Sequence, residues 1–195
     1  SREMKYIIED SNSKFIFYNH TLEAKIISIK NELNNISLVK TTTIKELISS
    51  VDNKTDFEQN EVSLYDTAVI IYTTGNPKGV VLSHLNLLSD AMSISTWFKF
   101  NNETRCLCIL PLFHNNGQIT TLLAPLYAGG STVIVKGKIS LYAFWDLVNE
   151  FKTTWTSVMA SILSILLSLP NEHKENNLSA ILCGGQILTR SVQEQ

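Results

Sequence analysis

From residue 67 to residue 183 the chain alternates short β-like runs with helical stretches, and few folds accept that order. Residues 67–72, 104–110, 131–135, 155–158 and 178–183 read as strands. Between them, Leu87, Ala91, Ile94 and Phe98 line one face of a helix that Ser83 can cap. Residues 117–127 form a helix ended by Ala128-Gly129-Gly130. A further helix over 141–151 turns Phe144, Leu147, Val148 and Phe151 inward, and another over 162–169 is stopped by Pro170. Repeated β-α-β units of this length need right-handed crossovers, so the expected fold is α/β, a mainly parallel sheet with helices on both faces. The strand segments 69–72, 106–110, 132–135 and 181–182 are expected to be buried.

The first 65 residues continue the pattern less regularly. Helices are expected at 3–9 and 44–50, and at 21–33 with Leu22, Ile26, Ile29 and Leu33 on one face; strands are expected at 14–18 and 36–39. Residues 52–63 are polar and acidic, which reads as a linker.

With 195 residues, 44% of them hydrophobic and 17% charged, the chain can bury a sizeable core. Its net charge of −2 removes the electrostatic case for nucleic acid or an anionic membrane. The longest apolar run, residues 158–169, falls well short of the ~20 residues that a membrane span needs. The charged first residues carry no apolar signal segment. Cys106, Cys108 and Cys183 are an odd set without zinc spacing, and are read as reduced, largely buried thiols of a cytoplasmic protein. Cys106 and Cys108 are expected to diverge from one another across their strand.

Chemistry concentrates in YTTGNPKGVVLSH, residues 72–84. Gly75 and Gly79 relax the backbone so that amide N–H groups can converge on an anion, and Pro77 stiffens the bend. Thr73 and Thr74 bring hydroxyls, and Lys78 brings a cation. No Gly-Lys-Ser/Thr opens a helix, so this is not a Walker loop. Both this loop and the turn at Gly184-Gly185-Gln186 follow expected strands, where open parallel sheets place their ligands.

The loop resembles the signature of the AMP-forming adenylating enzymes, Tyr-Thr-Ser-Gly-Thr-Thr-Gly-x-Pro-Lys-Gly-Val. LPLFHNNG (110–117), LLAPLYAGGSTVIV (122–135) and ILCGGQIL (181–188) are similar to further segments of that family, in the family's order. The likeness is good over 66–195 and weak over 1–65, so the whole chain is expected to be part of the large N-terminal domain, without the C-terminal domain. The resemblance implies a fatty-acyl or small-acid CoA ligase that uses ATP and Mg2+. A carboxylic acid, expected to be a fatty acid, attacks the α-phosphate to give an acyl-adenylate, and coenzyme A takes the acyl group. By the same resemblance Thr73, Thr74, Gly75, Lys78 and Gly79 hold phosphates, and Gly184, Gly185 and Gln186 border adenine. His114, Asn115 and Gly117 lie against the acyl substrate.

Two departures qualify what the resemblance implies. The sequence lacks a Ser-Gly-Thr between Thr73 and Thr74; because the flanks are intact, loss from the most flexible point of the parent's loop is expected in preference to a true deletion. It also stops before the family's Tyr-Gly-x-Thr-Glu motif, whose acid helps hold magnesium, and before the ribose aspartate and catalytic lysine. The 195 residues alone are therefore expected to show no turnover and to provide no metal ligand. Gln186 stands where the family has a small residue, and is expected to fill part of the adenine slot. Two alternatives stay open at this point: a non-catalytic remnant that binds a partner, and an amino-acid adenylation domain of a peptide synthetase.

Overall fold

The computed structural model describes residues 2–33, 35–50, 61–135, 141–169 and 176–194, which belong to two units, residues 1–82 and 83–195. In the first, α1 (Arg2–Asp10) leads to β1 (Phe15–Tyr18), α2 (Glu23–Lys30), β2 (Ser37–Lys40) and α3 (Ile44–Ser50). Strands β1 and β2 pair in parallel, with Phe15 opposite Ser37 and Tyr18 opposite Lys40. Ile8, Ile26 and Ile29 are buried. The Asn19 side chain caps a 3-10 turn over His20–Leu22, so α2 begins one turn later than its apolar spacing predicts. Leu22 is left at the edge, 36% exposed. Most of the expected linker lies outside the described residues; its last members, 61–63, are irregular and exposed.

The unit ends in a hairpin, β3 (Thr67–Tyr72) and β4 (Gly79–Ser83), which pair with each other. This corrects the sequence expectation that the Thr/Gly/Lys loop sits at the carboxyl end of a parallel strand. Six residues cannot make a parallel crossover, whereas they readily close an antiparallel pair.

In the second unit α4 (His84–Trp97) opens with a reciprocal cap. Ser83 Oγ accepts the Asn86 N–H at 3.2 Å, and Asn86 Oδ1 accepts the Ser83 N–H at 2.9 Å. There follow β5 (Arg105–Cys108), a π-helical segment (Asn116–Leu123), α5 (Ala124–Tyr127) and β6 (Ser131–Ile134). Then come α6 (Phe144–Glu150), β7 (Trp155–Met159), α7 (Ala160–Ser168), β8 (Ala180–Gly184) and the short α8 (Arg190–Gln193). The sheet runs β6-β5-β7-β8, every pair parallel.

Helices cover both faces of this sheet. On one, Leu107 and Val158 meet Phe144 and Val148 of α6 and Leu166 of α7, all essentially inaccessible to water. Burial of each such side chain is worth about 1.5–3 kcal/mol before entropy is counted. On the other, Ala91, Ile119 and Ala124 join α4 to the π-helical segment and α5, and Phe98 and Phe100 pack their rings on Trp155. Cys106 and Cys108 share this second face. The expectation that they diverge fails because a strand's side-chain period is two residues, so i and i+2 point the same way. Both are free thiols.

Several expected burials are incomplete. Phe151 is 36% exposed and Ile134 53% exposed, while Val69–Tyr72, Ile181 and Leu182 are half-buried. The helix expected over 117–127 is π-helical for its first two turns. Pro125 has no N–H for the Thr121 carbonyl, which accepts the Thr132 hydroxyl at 2.9 Å instead. The Thr121 hydroxyl bonds back to the Gly117 carbonyl at 2.8 Å, and the Ala124 N–H reaches Ile119 O, five residues back.

Candidate functional site

The Thr73–Lys78 loop is closed at its base. The Thr73 N–H donates to the Lys78 carbonyl, and the Lys78 N–H donates to Thr73 Oγ1, both at 3.1 Å. Six residues thus complete the hairpin without the three that the family signature adds. Gly75, at φ +86°, makes the reversal that an L side chain resists. The N–H groups of Thr74, Gly75 and Asn76 have no protein acceptor among the described residues, and Thr74, Gly75 and Lys78 are exposed. Lys78 forms no ion pair among the described residues. Three free amides, one cation and one Thr hydroxyl on a short exposed loop are the kinds of group that can hold an anion. The Thr73 hydroxyl and Lys78 amide, by contrast, are already committed to the loop itself.

The hairpin is anchored to α1 by a contact that sequence reasoning missed. The Tyr72 hydroxyl donates to Asp10 Oδ2 at 2.7 Å, and a Cβ on Gly79 would come within 3.0–3.3 Å of Ile70, Tyr72 and Asp10 side chains. Burial first, and this hydrogen bond second, push the Tyr72 phenol up to about 12. An open cleft of about 630 Å³ lies between the start of α1 and the loop, lined by Arg2, Glu3, Tyr6, Gly75, Asn76 and Pro77.

The remaining expected site residues are in the second unit. Strand β5 feeds the π-helical segment on one face of the sheet, whereas β7 feeds α7 on the opposite face. Between their carboxyl ends the connections part, which is where an open parallel sheet forms its crevice. The 110–117 segment leaves β5 at this edge, and Gly184-Gly185-Gln186 leaves β8 at the same edge, one strand beyond β7. His114 and Asn115 are exposed; the His114 ring lies 4.6 Å from that of Phe113, and the His114 main-chain N–H donates to Pro111 O at 3.0 Å. Gly117 is different. It is buried, and a Cβ there would sit 2.4 Å from the Pro111 carbonyl oxygen, so its place in the chain is set by close packing.

Gly184 and Gly185 present open backbone, with nothing within 4 Å of an added Cβ. The Gln186 side chain is engaged with α7. Its side-chain carbonyl accepts the Ser161 N–H at 3.2 Å, taking the place of the cap that Met159 cannot provide at the start of α7. Nothing local to either residue signals this bond, because its partners are 25 residues apart. No group of three His, Cys, Asp or Glu side chains that could hold a metal ion occurs among the described residues.

A parallel α/β sheet with an open carboxyl edge, and a Thr/Gly/Lys hairpin loop suited to phosphate, define a nucleotide-handling class of protein. The chain belongs to the AMP-binding enzyme family, whose model matches residues 1–195. It is 26% identical over 185 residues to the oxalate–CoA ligase of Arabidopsis thaliana, an alignment that takes in 90% of this chain and 36% of that protein. It is 37% identical over 107 residues to the sulfoacetate–CoA ligase of Cupriavidus necator, covering 53% of this chain and 21% of the other. The ATP-bound structure of MatB from Rhodopseudomonas palustris superposes with a TM-score of 0.84 at 22% identity, over 99% of this chain and 39% of that one. The chain therefore spans little more than a third of the length of such relatives.

Proposed function

We propose that these 195 residues are part of an ATP-dependent, AMP-forming acid–CoA ligase, and that they supply its phosphate loop and the carboxyl-edge crevice of its N-terminal domain. The observation that carries this reading is the exposed Thr73–Lys78 loop, with three amides and a lysine that have no partner among the described residues, in a chain of the AMP-binding family. Attack of a carboxylate on the α-phosphate builds negative charge on phosphorus. The amides of Thr74, Gly75 and Asn76 and the Lys78 ammonium supply fixed positive charge for it at little reorganisation cost. His114 and Asn115 face the acid, and the open backbone at Gly184 and Gly185 lets the adenine ring approach. Coenzyme A then accepts the acyl group.

The family match leaves the acid unspecified. Oxalate and sulfoacetate, in the relatives' names, are short and doubly anionic, which sets them apart from the fatty acid expected from the sequence. The free, buried Cys106 and Cys108 support a reducing compartment, with the cytoplasm as the proposal. No described helix is long and apolar enough to cross a membrane. The 195 residues alone are proposed to lack turnover. The test is ATP–pyrophosphate exchange by the full-length product over a panel of carboxylic acids. Acid-dependent exchange supports the reading; tight ATP binding without exchange on any acid favours the non-catalytic remnant.

A further inference from the structure

The Thr73–Lys78 loop is held only at its neck. Its two hydrogen bonds join Thr73 to Lys78, while residues 74–77 make none to protein among the described residues, and nothing lies within 4 Å of a Cβ built on Gly75. The direction in which the loop projects is therefore set where its two ends leave β3 and β4. Both ends converge on one side chain of α1. Tyr72 precedes Thr73, and its hydroxyl donates to Asp10 Oδ2 at 2.7 Å. Gly79 follows Lys78, and a Cβ there would stand 3.2 Å from Tyr72 Cζ and 3.3 Å from the same Asp10 oxygen. The missing side chain of Gly79 thus leaves the space in which the phenol and the carboxylate meet. Asp10 has little else to do. It forms no ion pair among the described residues, and its other contact is a long one, from the Tyr6 hydroxyl to Oδ1 at 3.5 Å.

A hydrogen bond from a phenol to an ionised carboxylate is stronger and more directional than one between neutral groups. Resting on the ligase reading above, we infer that Asp10 is a positioning residue for adenylation. Through Tyr72 it latches the neck of the loop to α1, and so holds the Thr74, Gly75 and Asn76 amides and the Lys78 ammonium in place for the triphosphate. Asp10 itself touches no substrate. Fixed donors stabilise developing charge because they need no reorganisation when it appears, and a loop that swivels on a free neck loses that advantage. The strand pairing of β3 with β4 and the Thr73–Lys78 closure do not involve Asp10, so the hairpin keeps its fold when the latch is removed.

The experiment measures acid-dependent pyrophosphate exchange by the full-length protein and its Asp10→Ala, Tyr72→Phe, double and Asp10→Asn variants. Each of the first two should lower kcat by roughly tenfold to a hundredfold and leave the KM for the acid unchanged. The double variant should be no slower than the slower single, because both remove one bond. Asp10→Asn keeps an oxygen acceptor for the phenol and should recover most of the rate, which a general loss of fold would not allow; Tyr72→Phe likewise keeps the ring and its packing. A second readout needs no activity: trypsin cleavage after Lys78 in the folded protein should speed up several-fold in Asp10→Ala and Tyr72→Phe and stay near the parent's in Asp10→Asn. Parental kcat in both single variants, losses that multiply in the double, or no recovery in Asp10→Asn overturns the inference and leaves the ligase reading intact. No exchange by the parent on any acid overturns the ligase reading, and this role with it.

Discussion

The Gln186 side chain caps α7 through the Ser161 N–H at 3.2 Å, which fixes the turn after β8 to the helix after β7. These two connections leave neighbouring strands at the same edge of the sheet. Gln186 consequently acts as a strut between two crevice walls, and the glycines before it keep their backbone open. Removing the carbonyl in Gln186→Ala is expected to cost about 0.5–2 kcal/mol in denaturant unfolding of the full-length protein, the usual range for a lost cap. Gln186→Glu should restore it, because a carboxylate at a helix N-terminus is also stabilising. No loss in the alanine variant would show that the bond contributes nothing in solution.

Gly117 and Gly184 should respond oppositely to alanine. At Gly117 the new methyl meets the Pro111 carbonyl oxygen at 2.4 Å, and backbone cannot give way cheaply. A loss of about 1–3 kcal/mol is expected in thermal unfolding. At Gly184 nothing lies within 4 Å, so Gly184→Ala should leave stability within about 1 kcal/mol of the parent. If that variant nonetheless loses ATP binding by calorimetry, the open backbone serves the nucleotide.

Tyr72 sets an alkaline limit on the hairpin. Its folded value, about 12, lies above the ~10 of a free phenol, so its contribution is complete below pH 10 and is lost as pH rises from about 10 to about 12. The stability difference between the parent and Tyr72→Phe should therefore narrow across that window. A difference independent of pH would contradict the Tyr72–Asp10 bond.

Thiol reactivity should rank by burial. Burial, with Cys108 nearby as a second cause, pushes the Cys106 thiol up to about 12, and burial raises Cys108 as well. Both lie inside the sheet, whereas Cys183 is half-buried. Iodoacetamide followed by peptide mass spectrometry should label Cys183 first and reach the other two only on unfolding.

The loop offers the most direct functional comparison. Lys78→Ala in the full-length protein should slow acid-dependent pyrophosphate exchange by tenfold or more, as expected on the order of magnitude for loss of one transition-state donor. Its melting temperature should stay close to the parent's, since an exposed lysine adds little stability. Inserting Ser-Gly-Thr after Thr73 should tighten ATP binding, because it frees hydroxyls and amides from closing the hairpin. An insertion that weakens binding would show that the six-residue loop is the functional length.

Much of this molecule was legible along the chain. Helical and strand periodicities placed β5 to β8 and their helices, and the Ser83 cap was readable from its position ahead of an apolar stripe. The Thr/Gly/Lys loop stood out because glycine, hydroxyl and cation fall within a few residues of one another, as the proposed anion cradle needs. Those are local constraints, set by dihedral preference and by side chains a turn or two apart. What only the tertiary structure decided depends on which strand lies beside which. It paired β3 with β4 in a separate hairpin, brought Asp10 to Tyr72 and Gln186 to Ser161, and turned the start of the 117–127 helix into a π-helix through Pro125 and Thr132. Each of these contacts except the hairpin and the π turn joins residues 25 or more apart, and all satisfy a donor or acceptor that its own segment leaves open; the sequence lists such groups but does not say which will meet.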